Sequence, residues 1–137
     1  MQKDFDTILN RTFVYAKTIA KQFYFEWAAN PQGCPAFDGE IVHITREGWD
    51  HIRHLRKRTK TDVMGRLFVL ERAKKLLKET TLFQQHVVGT HKKQKVEYWI
   101  FEGIIVGISV KVIVRSIQNK PKHLLSVIKK GTIAHEL

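Results

Sequence analysis

The stretch VKVIVRSIQNKPKHLLSVIKK, residues 110–130, decides the fold class of this chain. Its first part alternates valines with more polar residues, a period of two that is typical of a β-strand with one buried face. Residues 117–121, IQNKP, interrupt this alternation with turn-forming residues, and a second strand-like segment follows at 122–130. The stretch therefore predicts two antiparallel strands joined by a hairpin turn.

The two faces of the first of these strands differ in character. Val110, Val112 and Val114 share one face and are predicted to point into the core. Lys111 and Arg115 share the opposite, more polar face. The last strand has no face that is cleanly apolar, so the alternation does not decide its orientation.

The same period of two begins upstream, at about residue 82. The predicted strands are FQQHVVGTH at 83–91, KVEYWIF at 95–101, IIVGISVKVIVRS at 104–116 and KHLLSVIKK at 122–130. Residues 91–94 (HKKQ) and 102–103 (EG) have the composition of hairpin turns. The C-terminal half is thus predicted to be a four-stranded antiparallel meander.

The N-terminal half is predicted to be helical. Apolar residues recur at three- and four-residue steps over residues 4–29, a spacing that indicates one long amphipathic helix. A short strand at 41–45 leads into a basic helix capped by Thr45, which breaks near 59–61 and resumes until about residue 80. The chain is therefore predicted to be α+β, with N-terminal helices packed on a C-terminal four-stranded antiparallel sheet.

The length of 137 residues suits one domain. We predict a single domain over residues 1–137, in which residues 1–39 form an N-terminal helical extension and residues 40–131 form the functional core. The aromatic stretch FYFEW at 23–27 either packs into this core or binds an inhibitor or a second copy. The sequence favours packing into the core.

The charge of the chain is strongly basic and unevenly distributed. Lys and Arg number 24 against 13 Asp and Glu, a formal net charge of +11. Residues 1–40 hold four bases and five acids, a net −1, whereas residues 41–137 hold 20 bases and eight acids, a net +12. This asymmetry favours a polyanionic partner. Because the chain has one cysteine and no stretch typical of a membrane span or a secretion signal, we expect a soluble, cytoplasmic protein without a membrane partner.

The stretch EGWDHIRHLRKRTK, residues 47–60, combines histidines with a dense run of cations. On a helix His51, His54 and Arg58 lie at positions i, i+3 and i+7, so they share one stripe. The cations around this stripe and on the polar strand positions are predicted to bind nucleic acid: Arg53, Arg56, Lys57, Arg58, Lys60, Lys111 and Lys122.

Three kinds of site compete for this stretch. A zinc site needs three or four ligands at regular spacing, which the scattered histidines do not provide, so no metal or cofactor is predicted. A passive phosphate-binding face, or a face for an acidic protein, needs cations but no histidine. Metal-independent RNA cleavage uses both residue types, because histidine moves protons near neutral pH while arginine and lysine stabilise the charge that develops on phosphorus.

The chain resembles the barnase–EndoU–colicin E5/D–RelE superfamily of small metal-independent RNases, particularly its phage and polymorphic-toxin branches. The resemblance is carried by VHITREGWDHIRH at 42–54, by the basic helical stretch that follows, and by residues 110–130, and it covers residues 40–131. It implies a toxin-like endoribonuclease that cleaves RNA such as tRNA. It also implies a cognate inhibitor or immunity protein as a partner.

The resemblance further implies roles for individual residues. His51 or His54 takes the proton-transfer role, Arg115 clamps the phosphate, and Ser126 supplies a hydroxyl from the last strand. His123 is less favoured, because regular strand alternation turns it away from Ser126. The long N-terminal helix has no counterpart in the minimal family pattern. The alternative function is a non-catalytic nucleic-acid-binding module that uses the same basic helices.

Overall fold

The structure, a computed structural model, describes residues 2–53 and 58–132. Its elements are α1 (Gln2–Ala29), β1 (Gly33–Cys34), a 3-10 helix (Pro35–Phe37), β2 (Glu40–Ile41), α2 (Arg46–Arg53), α3 (Lys60–Phe68), α4 (Leu70–Glu79), β3 (Gln85–His91), β4 (Gln94–Ile105), β5 (Ile108–Ile117) and β6 (His123–Thr132). Strands β3 to β6 form an antiparallel sheet in the order β3-β4-β5-β6, and β1 and β2 form a separate small sheet. The predicted α+β fold, with helices first and a four-stranded meander last, is confirmed.

The C-terminal half of α1 belongs to the core. Tyr24 is fully buried and Trp27 is 3% exposed. The Tyr24 hydroxyl donates a hydrogen bond to the Thr45 carbonyl at 2.5 Å, and its ring lies 5.3 Å from the ring of Trp49. The aromatic residues at the end of α1 therefore pack against the start of α2. In the described part of the chain, α1 and the other helices all lack the combination of length and apolarity that crossing a membrane requires.

The segment after residue 58 contains two helices instead of one. Thr59 caps α3 by accepting a hydrogen bond from the Asp62 amide at 3.1 Å. The apolar spacing predicted one continuous helix from this point to residue 80, which is wrong, because the chain leaves helical geometry at Val69. Val69 and Leu70, at the break, are both buried.

The hairpin between β4 and β5 turns later than the sequence predicted. The predicted turn at Glu102 and Gly103 is wrong, since both residues lie inside β4, and the chain turns at Val106 and Gly107 with φ angles of +50° and +74°. Gly103 is a packing residue: a Cβ there would lie 2.8 Å from the Leu76 side chain on α4. Glycine in this strand thus permits the close approach of a helix.

A register shift in β6 explains why its alternation was ambiguous. Val110, Val112 and Val114 of β5 are fully buried, as predicted. Their neighbours on β6 include Leu124 and Val127, which are also fully buried although they lie three positions apart in the chain. Regular alternation cannot place such a pair on one face, and the shift between Ile113 and Val114 in the β5–β6 pairing resolves this. The core therefore continues across β6.

Candidate active site

A buried arginine near the end of β5 joins three elements of the fold. The side chain of Arg115 is 10% exposed. Its Nη2 donates to Glu47 Oε1 on α2 at 2.5 Å, and its Nε donates to His123 Nε2 on β6 at 3.0 Å. The pairing of β5 with β6 places Arg115 directly opposite His123. We call Arg115, Glu47 and His123 the Arg115 cluster.

Local sequence holds the start of α2 against β6. The Thr45 hydroxyl caps the helix by accepting a hydrogen bond from the Gly48 amide at 3.2 Å. A Cβ at Gly48 would lie 2.5 Å from the Leu124 carbonyl oxygen and from the Tyr24 hydroxyl, so only glycine allows this approach. Glu47, in the first helical turn, is thereby brought within reach of the β5 guanidinium, and the helix dipole also favours a carboxylate there.

The contacts of the Arg115 cluster determine its protonation states. A guanidinium can only donate, so His123 Nε2 accepts its hydrogen bond, and a neutral ring carries its proton on Nδ1. Burial lowers the pKa of His123, and the charge of Arg115 lowers it further. The hydrogen bond from Arg115 lowers the pKa of Glu47. Near neutral pH the cluster therefore contains a charged arginine, a carboxylate and a neutral imidazole.

His51 lies next to the Arg115 cluster on α2. It is exposed and follows Glu47 by four residues, so the two side chains share one face of the helix. The pKa of Glu47, lowered mainly by the Arg115 hydrogen bond, is lowered to a smaller extent by nearby His51. Two predicted site residues, Arg115 and His51, thus both interact electrostatically with the carboxylate of Glu47. His54, the other predicted proton-transfer residue, lies outside the described residues.

His43 is a further histidine at this site, which the sequence analysis did not select. Its amide donates to the Lys122 carbonyl at 2.9 Å, and its carbonyl accepts from the Leu124 amide at 2.9 Å. This short parallel bridge pairs His43 with His123, so the two side chains lie on the same face. Both line a pocket of about 470 Å³, together with Thr45. We call it the histidine pocket.

Two signals in the sequence point to the residues that were missed. His43 occupies an alternating position in IVHIT, just before the Thr45 cap. Glu47 precedes His51 by one helical turn, which is the spacing of an interacting side-chain pair. In residues 2–53 and 58–132, no three His, Cys, Asp or Glu side chains are placed to hold a metal ion.

Ser126 lies in a different environment from the one predicted. Its hydroxyl accepts a hydrogen bond from Arg66 Nη1 on α3 at 2.8 Å, and Arg66 Nε lies 3.5 Å from the Asp62 carboxylate. We call Arg66, Ser126 and Asp62 the Arg66 cluster. On β6, Ser126 pairs with Ile113 and His123 pairs with Arg115, and Arg115 contacts the less favoured His123. The Ser126 hydroxyl thus contacts Arg66, and its convergence with a histidine and Arg115 in one cleft stays a prediction.

Several of the cations predicted to bind nucleic acid contact neighbouring protein groups. Arg53 pairs at 3.0 Å with an aspartate one turn earlier on α2. Lys122 pairs with Glu40 at 2.7 Å. Arg58 donates to the carbonyl of His51 at 2.5 Å, which satisfies the end of α2. The others are Lys60, the first residue of α3, Lys111 on β5, and Arg56 and Lys57, which lie outside the described residues.

Comparisons with known proteins give this chain no relative. No protein-family model, no curated protein and no solved structure matches it significantly. The resemblance to the RNase superfamily therefore stays a prediction made from residues 40–131. The geometry of the Arg115 cluster and the histidine pocket is the basis on which function is argued below.

Proposed function

We propose that this protein is a small metal-independent endoribonuclease whose active site combines the Arg115 cluster with the histidine pocket. One observation carries the proposal: a 90% buried guanidinium contacts a carboxylate and an imidazole, and this imidazole lines a pocket together with a second histidine. Perturbed ionisable groups around a pocket are typical of a reaction site. The partner with matching chemistry is RNA, given the net charge of +11.

The proposed reaction needs no group beyond those of the protein and the RNA. The 2′-oxygen attacks the adjacent phosphorus, the 2′-oxygen–phosphorus bond forms, and the bond from phosphorus to the 5′-oxygen breaks. One histidine accepts the 2′-hydroxyl proton and another donates a proton to the leaving 5′-oxygen. His51 and His43 are the exposed histidines at the site and take these two roles. Arg115 stabilises the charge on the phosphorane.

Glu47 and His123 act through Arg115 in this proposal. Two partners fix the guanidinium plane, because Nη2 is directed at Glu47 and Nε at His123. A fixed donor stabilises a developing charge more effectively than one that must reorient. Since Glu47 Oε1 binds Arg115 and its side chain is 66% exposed, an incoming phosphate can take over part of that interaction. Glu47 and His123 are therefore positioning residues.

The resemblance to the superfamily extends the proposal to the substrate, the cellular location and a protein partner. It supports a toxin-like enzyme that cuts RNA, with tRNA as one candidate substrate, in the cytoplasm. It also supports a cognate inhibitor as partner. A dedicated inhibitor of such an enzyme would have to cover the histidine pocket, and an acidic surface would suit the positive charge around it.

The second candidate is a nucleic-acid-binding module without catalysis. The concentration of 20 Lys and Arg against eight acidic residues in 41–137 favours it, since counterion release alone gives salt-dependent binding. This function requires no histidine and no buried arginine. It predicts that all basic residues contribute to binding to a similar extent and that none controls a reaction.

Cleavage in the presence of a chelator separates the two functions. Purified protein is incubated with tRNA and with total RNA near neutral pH in excess EDTA, and a parallel preparation of Arg115→Met controls for contaminating nucleases. The proposed enzyme gives products that end in 2′,3′-cyclic phosphate, and the variant preparation gives few. RNA that stays intact while the protein binds it would exclude the enzyme and leave the binding module.

A further inference from the structure

A second and larger pocket adjoins the histidine pocket. It has a volume of about 590 Å³, within the range of pockets that bind small ligands. It shares His43, Lys120 and Pro121 with the histidine pocket. A nucleotide chain that occupies both pockets must therefore pass His43. We call this second space the Trp99 pocket, after the side chains that the argument uses: Glu40, Glu97, Trp99, Asn119 and Lys122.

The floor of the Trp99 pocket is a packed aromatic group. Trp99 is 7% exposed, and its ring lies 5.3 Å from that of Phe37 in an edge-to-face contact. The ring of His86 stacks on Trp99 at a centroid distance of 5.0 Å and an angle of 6°. Lys122 Nζ lies 4.9 Å from the Trp99 ring centroid. These contacts hold the indole and the ammonium in fixed positions.

The walls of the pocket carry both hydrogen-bond donors and acceptors. The Glu97 carboxylate is oriented by His86 Nε2 at 2.8 Å and by Lys95 at 3.7 Å. Asn119 is exposed in the β5–β6 turn, where its φ of +61° is a conformation that asparagine tolerates well. Its amide group offers one acceptor and two donors. Lys122 adds further donors, anchored by Glu40 at 2.7 Å.

The combination of hydrogen-bond donors and acceptors in the walls of the Trp99 pocket suits a nucleobase better than a phosphate. Glu40 and Glu97 line the pocket together with Lys120 and Lys122, so the formal charges of its walls cancel and give a phosphodiester no net attraction. A nucleobase is neutral and presents donors and acceptors side by side along its edge, which carboxylate, amide and ammonium groups read directly. Proteins recognise single-stranded RNA mainly by binding unstacked bases in this way.

We propose that the Trp99 pocket is a nucleobase subsite that holds the base next to the cleaved phosphate and gives cleavage its base preference. Glu97 is the main specificity-determining residue, because its carboxylate accepts N–H groups from the base edge. This inference rests on the proposed ribonuclease function, which places the phosphate in the histidine pocket beside His43.

The substitution Glu97→Gln tests the subsite and keeps the side-chain shape. Glu102→Gln is the matched control, because Glu102 is also on β4 but pairs with Lys130 at 3.6 Å and does not line the pocket. Sequencing of the product ends gives the base frequencies next to the cut. We expect wild type and Glu102→Gln to prefer one base about tenfold or more, and Glu97→Gln to prefer it less than about threefold. An unchanged preference in Glu97→Gln would overturn the subsite.

Binding without cleavage provides an independent measurement. Nucleoside 3′-monophosphates are titrated into ¹⁵N-labelled wild-type protein, and the amide signals of Glu97 and Asn119 are followed by NMR. We expect saturable shifts at both positions, with different affinities for different bases. Absence of these shifts overturns the subsite. If the shifts appear but RNA is never cut, the proposed function fails and the pocket remains as a base-binding site without a role in cleavage. If RNA is cut but the base preference is unchanged in Glu97→Gln, only the subsite fails.

Discussion

Two buried guanidinium groups contact the last two strands of the sheet, and their surroundings differ. The side chains of Arg115 and Arg66 are 10% and 11% exposed, so burial does not distinguish them. Arg66 donates to the hydroxyl of Ser126, which is 1% exposed and cannot exchange protons near neutral pH. Arg115 donates to a histidine and to an exposed carboxylate beside a pocket. The comparison teaches that burial does not distinguish the two arginines, and that their neighbouring groups are the reason for proposing a role in the reaction for Arg115 and a structural role for Arg66.

The largest expected effect follows from removing the charge of Arg115. Arg115→Met should lower the single-turnover rate of RNA cleavage about 1000-fold, because the phosphorane loses its fixed donor. Arg115→Lys should recover only a small part, since an ammonium cannot contact Glu47 and His123 in the same planar arrangement. Rapid-quench measurements on one RNA, with circular dichroism to verify folding, give both values. If Arg115→Met folds and cleaves RNA at the wild-type rate, Arg115 has no role in the reaction and is a structural residue like Arg66.

Removing the histidines should have the next largest effect. His51→Ala and His43→Ala should each lower the cleavage rate about 100-fold, the usual scale for a proton-transfer group, while RNA binding changes little. Filter binding to an RNA with 2′-deoxy residues separates binding from chemistry. His91→Ala is the control, because His91 lies at the exposed end of β3. If all three variants cleave RNA at the same rate, neither His51 nor His43 transfers a proton in the reaction.

Ser126→Ala addresses the other arginine. The loss of the hydroxyl leaves Arg66 Nη1 without its buried acceptor, so the free energy of unfolding should fall by about 1–2 kcal/mol. The cleavage rate should stay within about twofold of wild type, because the Ser126 hydroxyl binds Arg66 and holds none of the groups of the Arg115 cluster. Urea unfolding and cleavage of the same RNA measure the two effects. A large rate loss at unchanged stability would restore Ser126 to the catalytic role that the family resemblance implied.

The smallest expected effect is a pH dependence of stability. The folded-state pKa of His123 lies below its ordinary value of 6.5, so the unfolded chain binds more protons as the pH falls below about 6.5. The free energy of unfolding should therefore decrease between pH 7 and pH 5, because protonation of His123 is easier in the unfolded chain. Urea unfolding at several pH values measures this dependence. The decrease should be smaller in His123→Gln, whereas Ser126→Ala should show the same change of unfolding free energy with pH as wild type. The contribution of Glu47 to the free energy of unfolding is lost only at lower pH, since its pKa in the folded protein lies below 4.5.

Much of the fold could be predicted because local periodicity carries it. The apolar spacing of α1 and the alternation of β5 each follow from residues close together in the chain. The misplaced turn and the helix break have a different origin. Gly103 resembles a turn residue in sequence, but it is needed for contact with Leu76, and the helix breaks at Val69, which is fully buried. Such requirements depend on contacts between distant segments, which periodicity does not report.

The candidate site could be predicted only in part for the same reason. Arg115 stood out as a cation within an aliphatic strand, and His51 as an imidazole among cations. Their shared partner Glu47 was missed, because its contact with Arg115 spans 68 residues. The strand register placed His123 opposite Arg115 and Ser126 opposite Ile113, and the register shift between Ile113 and Val114 sets this arrangement. One irregular residue in a strand thus changes which side chains can meet.

The most direct test measures single-turnover cleavage of one RNA in excess EDTA by wild type, Arg115→Met and Ser126→Ala, all verified as folded. We predict that wild type forms 2′,3′-cyclic phosphate ends, that Arg115→Met is slower by about 1000-fold, and that Ser126→Ala stays within about twofold of wild type. Equal losses in the two variants, or a loss confined to Ser126→Ala, would contradict the assignment of the reaction to the Arg115 cluster.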